Sequence, residues 1–364
     1  MGMLQRAFAG DRAAHAYIFA GLEGVGKYTM AREWARLLLC ERPVAVGTAA
    51  EPFADSCGAC DSCALFEGGS HPDFIHVYKE LREFTRDGKG KAAPVDLPID
   101  VVREFLLEKA SIRPMSSTRK VFVVSEAEKL NASSQNALLK VLEEPPGYCT
   151  IVLLCTRIEK LLATTKSRCQ TIRFGPIDEE RVVGKLGEMG LGSREALFFA
   201  RLAQGSLGLA CQWARLESEG AGLFEVKRQV VASVAQFGLP EALGLAEQLV
   251  AGSKQLGANW AEMDKAVSKT DIGRRAQKTL IRIILSAFHD AMLVQVAGEP
   301  ALIHADQERE IARLAERLDP EAAAEKIEAG YDALRWIDAN VNERLIFERL
   351  LLRLARSAII PAKR

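Results

Sequence analysis

The chain has no surplus of charge: 48 lysines and arginines meet 48 aspartates and glutamates. No global field therefore draws it to nucleic acid, an acidic substrate or anionic lipid, and any such contact must be local. It also lacks an uninterrupted apolar run of about 18 residues, and the N-terminus MGMLQRAFAGDRAAHAYIF has no basic stretch followed by an apolar core and cleavage site. A cytoplasmic protein with no membrane contact is expected. Internal repeats and low-complexity tracts are missing too, and no stretch interleaves basic with aromatic residues, as single-strand binders do. Eight cysteines in 364 residues are too few for a disulfide scaffold. Four of them, Cys40, Cys57, Cys60 and Cys63, fall close together, which points to a metal instead.

What is present is ordinary globular material, 48% hydrophobic and 26% charged, with length for two or three domains. Residues 16–20 form a short apolar run that ends in a glycine-rich turn, and residues 27–39 follow with helical spacing through Met30, Trp34, Leu37 and Leu38. Further short runs lie at 74–78, 121–124, 151–155 and 171–174, with helical patterns near 99–110 and 132–143. Strands alternating with helices predict a parallel sheet covered on both faces. The segment 79–98 is polar, with glycine and proline, and is expected to be a surface loop. After Pro176 the strand signals stop and apolar residues recur at three and four positions, as at Leu345, Phe347, Leu350, Leu351 and Leu354. We expect an α/β domain at 1–176, a small helical lid at 177–217 and an all-helical domain at 218–364, with a joint at ESEGAG, 217–222.

GLEGVGKYT, residues 21–29, sits where a strand turns into a helix. Gly21, Gly24 and Gly26 let backbone N–H groups curl around a phosphate at the helix N-terminus, and Lys27 adds a point charge. The standard loop follows its lysine with Ser or Thr, whose hydroxyl ligates Mg²⁺. Here Tyr28 stands there and Thr29 comes one residue late, turned by about 100° on a helix. The strand at 121–124 ends in Ser125 and Glu126 where an acidic pair would hold the metal and polarise water. The serine removes the first function; Glu126 retains the second, or is simply a solvated strand-end carboxylate. Magnesium is not expected at this site, and whether ATP still binds is left open.

With HAYIFAG at 15–21, SSQNALLKVLEEPP at 133–146, TTKSRCQTIRF at 164–174 and GSLGLA at 205–210, the chain resembles the bacterial clamp-loader family of AAA+ P-loop proteins. The likeness covers nearly all of the first 215 residues; beyond them it rests mainly on ANVNERLIFERLLLRLA at 339–355. It implies a P-loop α/β domain, a lid and an all-α collar through which subunits assemble. In this family the SRC arginine, here Arg168, reaches across a subunit boundary to ATP held by a neighbour. Thr156 occupies the γ-phosphate-sensing position. The lid arginine of tau/gamma-type ATPase subunits is replaced by Leu207, Gly208 and Leu209. LEEPP, 142–146, ends a helix and fixes the next turn, so Glu143 and Glu144 are given no catalytic part. Fourteen residues precede His15, fewer than the family usually has, and a wrongly assigned start codon would account for that.

Cys40 and CGACDSC together spell Cx16CxxCxxC. Four thiolates suit tetrahedral zinc, with sulfur at about 2.3 Å, and a closed set makes the site structural. The family carries a zinc module at this place, here 40–63. Cys149, Cys155, Cys169 and Cys211 lie in or beside apolar segments and are expected to pack as small hydrophobes.

The resemblance implies a subunit that hydrolyses no ATP efficiently itself, working with tau/gamma and delta subunits to open a ring-shaped sliding clamp and place it on primer-template DNA. Two alternatives stand beside it. One is an active tau/gamma-like ATPase rescued by Thr29 and Glu126; the other is a zinc-containing nucleic-acid binding protein with a vestigial P-loop.

Overall fold

Alternate residues of the strand β1 (Ala16–Gly21) face two different cores. Tyr17 and Phe19 pack on one side and Ala16, Ile18 and Ala20 on the other, as the period of two in a strand requires. The computed structural model describes residues 1–47, 52–88, 96–265, 267–297 and 301–355. It divides into two compact units at Pro176 and Ile177.

The first unit opens with α1 (Gly2–Ala9), followed by β1 and α2 (Lys27–Leu39). An antiparallel pair, β2 (Val44–Gly47) and β3 (Pro52–Asp55), leads to α3 (Asp61–Glu67) and β4 (Phe74–Val77). A helix at 99–110 then runs as α4 (Ile99–Val102), a π-helical stretch (Arg103–Leu107) and α5 (Glu108–Ala110). β5 (Lys120–Val124), α6 (Ala132–Glu143), β6 (Cys149–Cys155), α7 (Ala163–Lys166) and β7 (Gln170–Phe174) complete it.

Five strands form one sheet in the order β4-β5-β6-β1-β7, all neighbours parallel. Parallel strands need crossovers, and helices supply them on both faces. Trp34, Leu38 and Ala31 of α2 cover Tyr17, Phe19, Val121, Val123 and Val152 on one side. Leu138 and Leu142 of α6, with Val101 and Leu106, cover Ile18, Phe122, Ile151 and Leu153 on the other. Burial from both sides explains why β5 and β6 are apolar throughout.

Two local features depart from the sequence reading. The hairpin β2–β3 was not anticipated, since VAVG and PFAD are too short to announce a strand. The start of the expected loop is a 3₁₀ helix, Lys79–Phe84, while residues 89–95 of that loop lie outside the described residues.

The second unit is helical: α8 (Glu179–Glu188), α9 (Ser193–Ala203), α10 (Leu207–Ser218), α11 (Leu223–Val234), α12 (Ala242–Met263), α13 (Lys269–Val296), α14 (Glu308–Glu316), α15 (Pro320–Asp338) and α16 (Glu343–Ala355). Gly220 and Gly222 take left-handed conformations between α10 and α11, breaking the helix there. The helices before and after this break share one apolar core, from Val182 and Trp213 to Ile284, Phe347 and Leu354. The indole of Trp213 satisfies its N–H on Thr279 Oγ1 at 3.1 Å. By length and composition α13 is apolar enough to cross a membrane, yet more than half of its apolar window is buried within the unit, as befits a central core helix.

Candidate functional site

At the C-terminal end of β1 the chain must turn sharply beside β7. A Cβ on Gly21 would lie 2.5 Å from the carbonyl oxygen of Phe174, so only glycine fits there. Gly26, at φ 90°, caps α2 in a conformation that L side chains resist. The loop therefore runs from the C-terminal end of β1 into the start of α2, the kind of place where open parallel sheets bind ligands.

Lys27 begins α2 and is 9% exposed. Its ammonium donates to the carbonyl oxygens of Gly21 at 2.7 Å and Leu22 at 2.6 Å. Burial pushes its pKa down, and the nearby Glu128 carboxylate works against that. The loop thus has the shape and cation of a phosphate cradle, with the cation folded onto its own backbone.

The place of the metal is filled differently. The Tyr28 ring stacks on His76 of β4 with centroids 4.7 Å apart, and His76 in turn meets the Tyr78 ring at 4.8 Å. His76 Nε2 and Ser125 Oγ share a hydrogen bond of 2.8 Å. Burial lowers the His76 pKa to about 4, so the imidazole is neutral at physiological pH. Tyr28 and Ser125, the positions where the standard pattern carries a magnesium-binding hydroxyl and carboxylate, are thus both engaged with the His76 ring. Thr29 is exposed on α2.

Glu126 is engaged in two ion pairs. It adopts φ 51° and pairs with Lys79 at 3.7 Å and with Lys129. Thr156, just beyond β6, donates to Glu128 Oε1 at 2.5 Å. Glu128 escaped the sequence reading, which looked for acid only at the strand end. Two residues further on, a 3₁₀ turn (Ala127–Lys129) swings it toward Thr156 and Lys27.

Arg168 follows α7 on the way to β7. Its guanidinium donates from Nη1 to the carbonyl oxygen of Thr164 at 2.9 Å and from Nη2 to Glu143 Oε1 at 2.6 Å, with a third of the side chain exposed. Glu143, treated in the sequence as a helix-end residue, is thus the partner of the arginine.

The four cysteines converge. Their sulfurs all lie within 4.8 Å of one another; Cys40 Sγ is 3.6 Å from Cys57 Sγ and 3.9 Å from Cys60 Sγ. Four sulfurs around one zinc at about 2.3 Å are separated by roughly 3.8 Å, so the donor set fits. Backbone N–H groups of Cys57 and Cys63 point at the sulfurs of Cys40 and Cys60 at 3.3 and 3.4 Å, as suits thiolates. His71 is held elsewhere, by Ser62 Oγ at 2.9 Å, and like His76 it stands outside the cluster. Asp73 fastens the neighbouring chain: its carboxylate accepts from the backbone N–H groups of Met115, Ser116 and Ser117 at 2.7 to 2.9 Å. Burial opposes its ionisation, but those three donors hold its pKa below the usual value. Cys149 and Cys155 are buried, whereas Cys169 and Cys211 are half-buried.

A five-stranded parallel sheet with a phosphate loop at the end of β1, followed by a helical unit, makes this a P-loop protein of the AAA+ class. Two family models described as "DNA polymerase III, delta subunit" match it, one over residues 1–178 and its C-terminal counterpart over 265–356. The chain belongs to the bacterial clamp-loader family of DNA polymerase III subunits. It is 25% identical to DNA polymerase III subunit delta' of Bacillus subtilis over 97% of this chain and 94% of that one. With delta' of Pseudomonas aeruginosa identity rises to 39%, over 44% of this chain and 43% of the relative. Subunit tau of Bacillus subtilis is 26% identical over 83% of this chain but only 46% of its own length.

Proposed function

We propose that this chain is the delta-prime-type subunit of a clamp loader, that it turns over no ATP efficiently by itself, and that Arg168 serves the nucleotide of a neighbouring tau/gamma subunit. The observation that carries this reading is that Tyr28 and Ser125, at the two positions where the pattern has magnesium ligands, are both engaged with His76, while Arg168 keeps a third of its side chain exposed. Without a metal shell the γ-phosphate of a nucleotide in the chain's own loop has no counter-ion against which to develop charge. A permanently charged, planar guanidinium supplied from outside does that work for a neighbour, worth about 10³ to 10⁵ in rate in well-known cases.

The remaining parts follow. Gly21, Gly24, Gly26 and Lys27 form at most a phosphate pocket. Cys40, Cys57, Cys60 and Cys63 hold a structural zinc, which when bound cross-links the end of α2 to the start of α3 and leaves no open position for substrate. The helical unit carries a lid at 177–217 and a collar at 218–364 that joins tau/gamma and delta subunits in a cytoplasmic hetero-oligomer, and contact with the sliding clamp and primer-template DNA is made through that assembly.

Two measurements test the reading. The purified chain should show no magnesium-dependent ATP turnover approaching that of the assembled loader; turnover at the loader's rate would overturn it. Arg168→Ala, assembled with wild-type partners, should slow ATP hydrolysis by about 10³-fold at one interface without weakening nucleotide binding. Unchanged turnover would remove the trans role.

A further inference from the structure

Arg168 is held from two sides of its segment by a single helix, and the second hold has no part in the core. At the start of α6, Gln135 accepts from the backbone N–H of Leu162 at 2.8 Å and donates to the carbonyl oxygen of Leu130 at 2.9 Å. Gln135 is 3% exposed, so this contact belongs to the packing of the unit. Two helical turns on, at the last residue of α6, Glu143 Oε1 accepts from Arg168 Nη2 at 2.6 Å. The Glu143 side chain is 49% exposed. An exposed ion pair adds only about 0 to 1 kcal/mol to stability, so folding gives little reason for a carboxylate there.

Its geometric effect is larger. Arginine has five N–H donors in a fixed fork. The Thr164 carbonyl oxygen and, at 3.4 Å, Ser167 Oγ accept from Nη1, and Glu143 accepts from Nη2, which fixes both the position and the plane of the guanidinium. Nε and the second hydrogen of Nη2 are the donors these three acceptors leave over. A guanidinium on a long, flexible side chain otherwise spends much of its time out of line with any particular phosphate.

We infer that Glu143 is a positioning residue for Arg168: anchored on the end of α6, it holds the guanidinium in the plane and place from which the remaining N–H groups meet an anionic phosphoryl group presented by a neighbouring subunit. The inference rests on the trans role of Arg168. It gives the LEEPP segment a part in the neighbour's chemistry besides ending a helix.

The test uses the full chain assembled with its cognate tau/gamma and delta subunits, in four forms: wild type, Glu143→Ala, Arg168→Ala and the double variant. Glu143→Ala should lower kcat for ATP by about tenfold, the scale expected when a reacting group is misaligned, with KM for ATP unchanged. The double variant should be no slower than Arg168→Ala alone, because a positioning residue has nothing left to position. Glu143→Gln keeps an oxygen acceptor and should recover most of the rate. Thermal unfolding of the isolated chain should be the same in all four forms, which separates alignment from folding. A Glu143→Ala complex as fast as wild type, or effects of the two substitutions that multiply, would overturn the inference while leaving the trans role standing. An Arg168→Ala complex of wild-type speed would overturn both.

Discussion

Helix α2 begins with Lys27, Tyr28 and Thr29, the stretch where the standard phosphate loop supplies its magnesium-binding hydroxyl; one residue past its last turn it presents Cys40 to a cluster of thiols. The two ends have gone opposite ways. Magnesium is a hard ion that needs oxygen ligands in near-octahedral order, and around the first end a phenol, an imidazole and a serine hydroxyl are packed on each other instead. Zinc is borderline-soft, and the other end gathers four sulfurs at distances that suit it. The contrast teaches that the nucleotide-binding shape of the unit and its nucleotide chemistry are separable. The sheet, the loop glycines and the cysteine cluster are all present, whereas Tyr28 and Ser125 stand where the standard pattern has a magnesium-binding hydroxyl and carboxylate.

The largest effect should come from the sulfur end. Binding of structural zinc is worth on the order of 10 kcal/mol in small zinc-folded units, so stripping the metal, or Cys60→Ser, should loosen the segment from Cys40 to Glu67. Elemental analysis should find about one zinc per chain, and limited proteolysis of the stripped protein should cut within this segment first. Equal resistance with and without metal would mean that the thiols pack as hydrophobes, and the contrast between the two ends would lose one side.

The oxygen end can be tested by putting the ligands back. Tyr28→Ser with Ser125→Asp restores a short hydroxyl and a carboxylate at the two positions that lack them. Magnesium should then raise ATP affinity by about tenfold, the value of one good charge-assisted contact, as read by titration with and without the ion. If magnesium makes no difference to the double variant, the missing ligands are not what silences the loop.

A third effect concerns His76. Its folded pKa, near 4, lies below the unfolded value of about 6.5, so in that window the unfolded chain binds a proton that the folded chain refuses. Stability should therefore fall as pH drops from 6.5 toward 4, by about 3 kcal/mol at most for this one group. His76→Phe keeps a ring between Tyr28 and Tyr78 and should flatten that part of the slope in denaturant titrations. His304, buried in the helical unit and also held near 4 by burial, keeps its own contribution in both proteins. An unaltered slope in the variant would show that His76 is protonated in the folded state and that the stacked cluster is not neutral.

Much of the fold was legible because its signals are local. Apolar runs of four or five residues alternating with helical periods announce β1, β4, β5, β6 and β7, and the spacing of glycines and lysine places the phosphate loop at the start of α2. The cysteine spacing named a four-ligand set that the structure gathers. Other features escaped for a common reason, since they join residues with no shared local pattern. Glu128 meets Thr156 across 28 residues of chain, and His76 meets Ser125 across 49. The pairing of Arg168 with Glu143 brings together two motifs each of which had its own explanation.

By itself the sequence determined that the standard pattern is altered at helix α2, with a tyrosine at position 28 where the loop carries Ser or Thr and a serine at 125 where the strand end carries a carboxylate. It also determined the strand and helix periods, which depend on neighbours in the chain. Only the tertiary structure decided which ring stacks on Tyr28, how Lys27 and Glu126 are paired, and which acid meets Arg168. Those outcomes depend on side chains brought within about 3 Å of one another by sheet register and helix packing, and hydrogen bonds are too short-ranged for anything less to specify them.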